Sequence, residues 1–148
     1  MRDIEELVDG YHRFLKNRYP SDSVVYRDLA ENGQAPHSMV IACSDSRVDP
    51  AAIFSAGPGQ LFVVRNIANL VPPFEPECSY HGTSAALEFA VIKLKVDNIV
   101  VMGHSQCGGV KAFLDGVDDH NTGQSFISRW ISLLRPAYAT IDTEKADT

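Results

Sequence analysis

The alternation of apolar and polar positions changes period several times along this chain, and each change marks an element. Ile4, Leu7, Val8, Tyr11, Phe14 and Leu15 recur at spacings of three and four with charges between them, which predicts an amphipathic helix over 3–18. Tyr19-Pro20 is expected to close it, because proline disfavours helical geometry in the residue before it. Such a helix must bury its stripe on its own core or on a second subunit. A shorter helix is expected over 24–31, ending at Asn32-Gly33.

Beyond that point, short apolar runs alternate with helical patterns. Met39-Val40-Ile41-Ala42, Leu61-Phe62-Val63-Val64 and Ile99-Val100-Val101-Met102 read as buried strands. Asp49-Pro50 has the cap and first-position proline of a short helix that stops before Gly57-Pro58-Gly59. A broad apolar face built on Ala85, Ala86, Phe89, Ala90, Ile92 and Leu94 predicts a helix over 79–95. Gly108-Gly109 opens another through Leu114, and Phe126, Ile127, Trp130, Ile131 and Leu134 support one over 125–135. The tail from Ala137 to Thr148 has no periodicity. This order predicts an α/β fold, a parallel sheet flanked by helices. It is read as one domain over 1–148, with the N-terminal helix ahead of an α/β core over 38–135.

Composition narrows the class. A net charge of −6 and a pI near 5.2 argue against a nucleic-acid partner. The apolar runs are far shorter than a membrane span, and the first residues lack the apolar stretch of a signal peptide, so a cytoplasmic protein without membrane association is expected. Three cysteines do not suggest a secreted disulfide framework. Cys78 has no ligand-type neighbour and is read as a bystander.

The chemistry lies after the first and third strands. Cys43-Ser44-Asp45-Ser46-Arg47 and His104-Ser105-Gln106-Cys107 offer two thiolates, an imidazole and a carboxylate at the ends of strands, where sites in parallel sheets gather. That is a zinc ligand set. Cys43, His104 and Cys107 make a Cys₂His group whose fourth position falls to water, giving a catalytic type of site, or to Asp45, giving a closed one. Arg47, two positions on, can pair with Asp45 bidentately and draw it off the metal. A structural zinc fits less well, since its ligands usually come in Cys-x₂₋₄-Cys or His-x₃₋₅-His pairs. The stretch Gly103-His104-Ser105-Gln106-Cys107 approaches a serine nucleophile elbow but has Cys107 where its last glycine belongs.

These motifs, with Phe62-Val63-Val64-Arg65-Asn66-Ile67-Ala68-Asn69 between them and Gly108-Gly109 after them, resemble the β-class carbonic anhydrases of the plant and proteobacterial type. The likeness runs from about Tyr11 to about Trp130. It implies a zinc ion on Cys43, His104 and Cys107, with an Asp45–Arg47 dyad beside it. It further implies reversible hydration of carbon dioxide to bicarbonate and a proton by zinc-hydroxide attack. Gly108 is expected to steady substrate through the backbone, and Phe62 and Val64 to wall it. Of the Trp-Arg-Tyr pocket through which bicarbonate locks some members, only Arg65 is present, with Val40 and Phe89 at the other positions, so no such locked state is expected. The family implies a homodimer or a multiple of dimers. Its members continue past the helix at 125–135, so the resemblance implies a C-terminally truncated chain without the edge strand and helices beyond. An inactive zinc-binding fragment and a hydrolase of carbon disulfide or carbonyl sulfide are the alternative functions.

Overall fold

The computed structural model describes residues 3–76, 81–116 and 125–141. Cys78 and the last seven residues of the tail lie outside these. Three parallel strands form the sheet: β1 (Ser38–Cys43), β2 (Leu61–Asn66) and β3 (Asn98–Met102), in the order β2-β1-β3. The α/β class expected from the alternation of elements is thus the observed one. Central β1 is sealed on both faces, with Met39, Val40, Ile41, Ala42 and Cys43 between 0% and 4% exposed. A continuous apolar run is what a strand covered on both sides requires.

Helices α1 (Ile4–Arg13) and α2 (Tyr19–Asn32) do not stop at Tyr19-Pro20 as the sequence suggests. A π-helical segment, Phe14–Arg18, joins them, and the Tyr19 N–H reaches back to Phe14 O. Proline lacks an N–H and its ring clashes with the carbonyl four residues earlier. A locally widened turn accommodates that ring without ending the helix. The Ser21 hydroxyl donates to Arg18 O at 2.7 Å, satisfying a carbonyl at the junction. The helix then ends where Gly33 takes φ 84°.

The remaining elements are α3 (Pro50–Ile53), α4 (Gly82–Glu88) continued by a π segment at Phe89–Leu94, α5 (Gly108–Leu114), α6 (Phe126–Ile131) and α7 (Arg135–Tyr138). Asp49 caps α3 by accepting from Ala52 N. One core cluster joins Met39, Ile41 and Ala90 to Phe62, Val64, Ala86, Leu87 and Val96. A second gathers Cys43, Ala68 and Cys107 with Val48 and Leu70. The first holds the sheet to α4 and its extension; the second surrounds the thiols. No described helix is long and apolar enough to cross a membrane.

Candidate metal centre

Cys43 is the last residue of β1 and pairs in register with Asn66. His104 lies two residues past β3, and Cys107 caps α5. Between them Gln106 adopts φ 53°, a left-handed step that tightens the turn so that His104 and Cys107 converge. The parallel pairing of β1 with β3 brings the two half-motifs together at one end of the sheet. The ligating atoms of Cys43, His104 and Cys107 all lie within 4.8 Å of one another.

The donor set fits a zinc ion. The two sulfurs are 3.9 Å apart, close to the ~3.8 Å expected of thiolates each about 2.3 Å from a tetrahedral zinc. His104 Nδ1 bonds Ser105 O at 2.9 Å, which places the proton on Nδ1 and leaves Nε2 a free lone pair. Nε2 is buried and has no hydrogen-bond partner among the described residues. A buried imidazole nitrogen with its lone pair beside two thiols is a donor set suited to a metal ion. Burial pushes the Cys43 thiol up. The His104 side chain, the backbone N–H groups of Asp45 and Ala68, and Cys107 outweigh burial and bring its pKa below the ordinary cysteine value.

Asp45 is turned toward Arg47. Arg47 Nε donates to Oδ1 at 2.9 Å, Nη2 to Oδ2 at 2.8 Å, and its backbone N–H to Oδ1 at 3.0 Å. Nη2 also reaches Gln106 O at 3.0 Å, tying the two half-motifs together. The side-chain hydrogen bonds first, then the backbone one, hold the Asp45 carboxyl well below the usual carboxylate range. The same bonds raise the pKa of Arg47.

Arg65 braces this turn from behind. Its Nε donates to Cys43 O at 3.0 Å, Nη2 to Asp45 O at 2.7 Å, and Nη1 to Asp49 Oδ2 at 3.0 Å. The guanidinium therefore holds the carbonyls of both Cys43 and Asp45.

A cavity of about 340 Å³ opens beside the Cys43 thiol, lined by Cys43, Ser44, Asp45, Ile67, Gly108, Gly109, Ala112 and Ile127. Gly108 is among its walls. Phe62 and Val64 are not. In register they stand beside Met39 and Ile41, so they face the sheet's core cluster, and Phe62 stacks on Phe89 with ring centroids 5.9 Å apart. The cavity's apolar lining is Ile67, Ala112 and Ile127, on a turn and two helices whose approach no local pattern announces. In the sequence pattern Trp130 marks only the apolar face of its helix. Its Nε1 donates to Ile67 O at 2.7 Å, across 63 residues.

Comparison with known proteins agrees with this geometry. The family model described as carbonic anhydrase matches residues 38–148. The chain is 46% identical over 128 residues to beta carbonic anhydrase 5, chloroplastic, of Arabidopsis thaliana, a match covering 86% of the chain and 41% of that relative. It superposes on the beta-carbonic anhydrase CcaA with a TM-score of 0.85 at 30% identity, covering 98% of the chain and 68% of that structure. Two tetrameric beta-carbonic anhydrases from the filamentous ascomycete Sordaria macrospora provide another match, with a TM-score of 0.78 at 31% identity over 95% of the chain and 66% of theirs. The chain spans less than two thirds of the length of its curated relatives, 41% of one and 55% of another.

Proposed function

The chain belongs to the β-carbonic anhydrase family, and from that premise we propose that it hydrates carbon dioxide reversibly to bicarbonate and a proton, with zinc held by Cys43, His104 and Cys107. The observation that carries this reading is His104 Nε2, buried and without a hydrogen-bond partner among the described residues, clustered with two thiols beside an apolar cavity. Zinc bound there would supply the Lewis acidity that activates a water for attack on the carbon.

The chain's own residues do the rest. Asp45, ionised and fastened to Arg47, lines the cavity and is placed to accept a hydrogen bond from the attacking water. Because both its oxygens are already bonded to Arg47, it is kept from taking a coordination position. Ile67, Ala112 and Ile127 offer carbon dioxide an apolar surface. Gly108 begins α5, where first-turn N–H groups lack intrahelical acceptors and can hold an oxygen of substrate or product. The released proton passes to buffer.

We also propose that the chain acts as a homodimer or a multiple of dimers. Ile4, Leu7, Val8 and Tyr11 on α1 are 68%, 58%, 47% and 59% exposed, and Ile99 and Val101 on β3 are 48% and 53% exposed. Apolar surface of this extent favours a covering partner. Two thiolate ligands call for a reducing compartment.

Stopped-flow carbon dioxide hydration by the zinc-loaded 148-residue chain tests the activity. A rate well above buffer is expected. A buffer-level rate with one zinc bound per chain would overturn the proposal.

A further inference from the structure

Asp45 and Arg47 sit on one tight turn. Its closing bond runs from the Val48 N–H to Asp45 O at 3.1 Å, which makes Asp45 the first of its four residues and Arg47 the third. Across the same turn the Asp45 carboxylate accepts the Arg47 backbone N–H at 3.0 Å. The direction in which this pair faces is therefore set by the main chain of the turn. A single closing bond does not fix that direction, since many turns of this kind do without one.

Arg65 supplies the rest from β2. Its Nη2 reaches the same Asp45 carbonyl at 2.7 Å, its Nε reaches Cys43 O at 3.0 Å, and its Nη1 reaches Asp49 Oδ2 at 3.0 Å, one residue past the turn. One planar guanidinium thus spans the turn from Cys43 ahead of it to Asp49 behind it. Arg65 is paired in register with Ala42 on β1, so this anchor stands on the strand that carries Cys43's own neighbour.

Asp49 divides its two oxygens. Oδ1 accepts the Ala52 N–H at 3.1 Å and caps α3, while Oδ2 takes Arg65. Half of the Asp49 side chain is exposed, and ion pairs in such surroundings add little to stability. What the pair fixes is the plane of the guanidinium, whose other two donors grip the carbonyls of Cys43 and Asp45.

We propose that Asp49 and Arg65 are positioning residues: their ion pair orients the guanidinium, which clamps the Asp45–Val48 turn and so aims the Asp45–Arg47 pair at the Cys43–His104–Cys107 cluster. Neither belongs to that cluster or lines the cavity beside it. The consequence for the reaction rests on the proposed reading of the metal centre; the coupling of Asp49 to the turn does not.

The test is Asp49→Asn in the full chain. Asparagine caps a helix as well as aspartate, but with its one oxygen on Ala52 it turns an amide donor toward Arg65 Nη1. In the metal-free chain, proton–nitrogen NMR follows the Arg47 backbone N–H and Nε–H, the two donors to Asp45 Oδ1. Both resonances are expected to move together toward unbonded positions while the Ala52 N–H stays in place. In the zinc form, kcat for carbon dioxide hydration is expected to fall several-fold with KM little changed. In an Asp45→Ala background the same substitution should bring no further fall, because nothing is left to aim. If Asp49→Asn does not fold, Asp49→Ser, which also caps and is too short to reach Arg65, carries the test. Arg47 resonances at their wild-type positions overturn the inference. So does an equal fall in kcat with and without the Asp45 carboxylate, the result that general loss of support would give. A wild-type zinc form that does not hydrate carbon dioxide overturns the proposed activity instead, and the Arg47 resonances then decide the inference.

Discussion

Asp45 and Arg47 are joined by three hydrogen bonds of 2.8 to 3.0 Å, two from the guanidinium and one from the Arg47 backbone N–H. A carboxylate that by type could ligate a metal is thereby held by the guanidinium, close to the Cys43–His104–Cys107 cluster. Arg47→Ala removes the two side-chain bonds and frees the carboxylate to swing toward the thiols. Carbon dioxide hydration is expected to fall about 10- to 100-fold, the usual cost of losing an outer partner of a metal site. Zinc content should stay unchanged. An unaltered rate in Arg47→Ala would show that the pair does not govern Asp45.

The pairing also predicts a pH response. The folded pKa of Asp45 is depressed below the ~3.9 of a free aspartate. Its contribution to stability is therefore complete above that value and lost as pH falls through the depressed one. Carbon-13 NMR of the Asp45 carboxyl should show no titration between about pH 3 and 6, the ordinary carboxylate range. In Arg47→Ala the inflection should move back up into that window.

Removal of one thiolate tests the ligand set. Cys107→Ala leaves only Cys43 and His104 from the cluster, too few to hold zinc against dialysis. Metal analysis is expected to show near-complete loss of zinc. Full retention would mean that the ion sits elsewhere.

Arg65 spreads its guanidinium over Cys43 O, Asp45 O and Asp49. A lysine ammonium cannot reproduce that fork. Arg65→Lys should therefore leave at least one part-buried carbonyl without its donor, at a cost of about 1–3 kcal/mol in urea unfolding. A variant as stable as wild type would show that water replaces the lost bonds.

Gly109→Ala places a methyl against Ile67 and Ala68. Overpacking of this kind costs about 1–3 kcal/mol, measurable as a lower urea midpoint. Because Ile67 and Gly109 both line the cavity, activity should fall as well. Ile67→Ala in the same chain removes the closest clashing atom and should recover part of the stability.

The sequence by itself determined the alternation of strands and helices and the positions of the two half-motifs after β1 and β3. Cys43, His104 and Cys107 were legible because each follows an apolar β-branched run, and a parallel sheet brings the ends of such runs to one edge. The Asp45–Arg47 pair was legible because two residues of separation leaves little room for another arrangement. Side-chain period and capping residues are local signals, and the strands and the cap at Asp49 obeyed them. Tertiary structure decided what local signals do not encode. It carried the first helix through Pro20, where a π turn relieves the ring's clash. It sent Phe62 and Val64 into the core, because their register beside Met39 and Ile41 assigns them to that face. It walled the cavity with Ile67, Ala112 and Ile127, and it set the Trp130 indole against the Ile67 carbonyl. Those contacts join distant segments, and they depend on how packed elements approach one another rather than on any period along the chain.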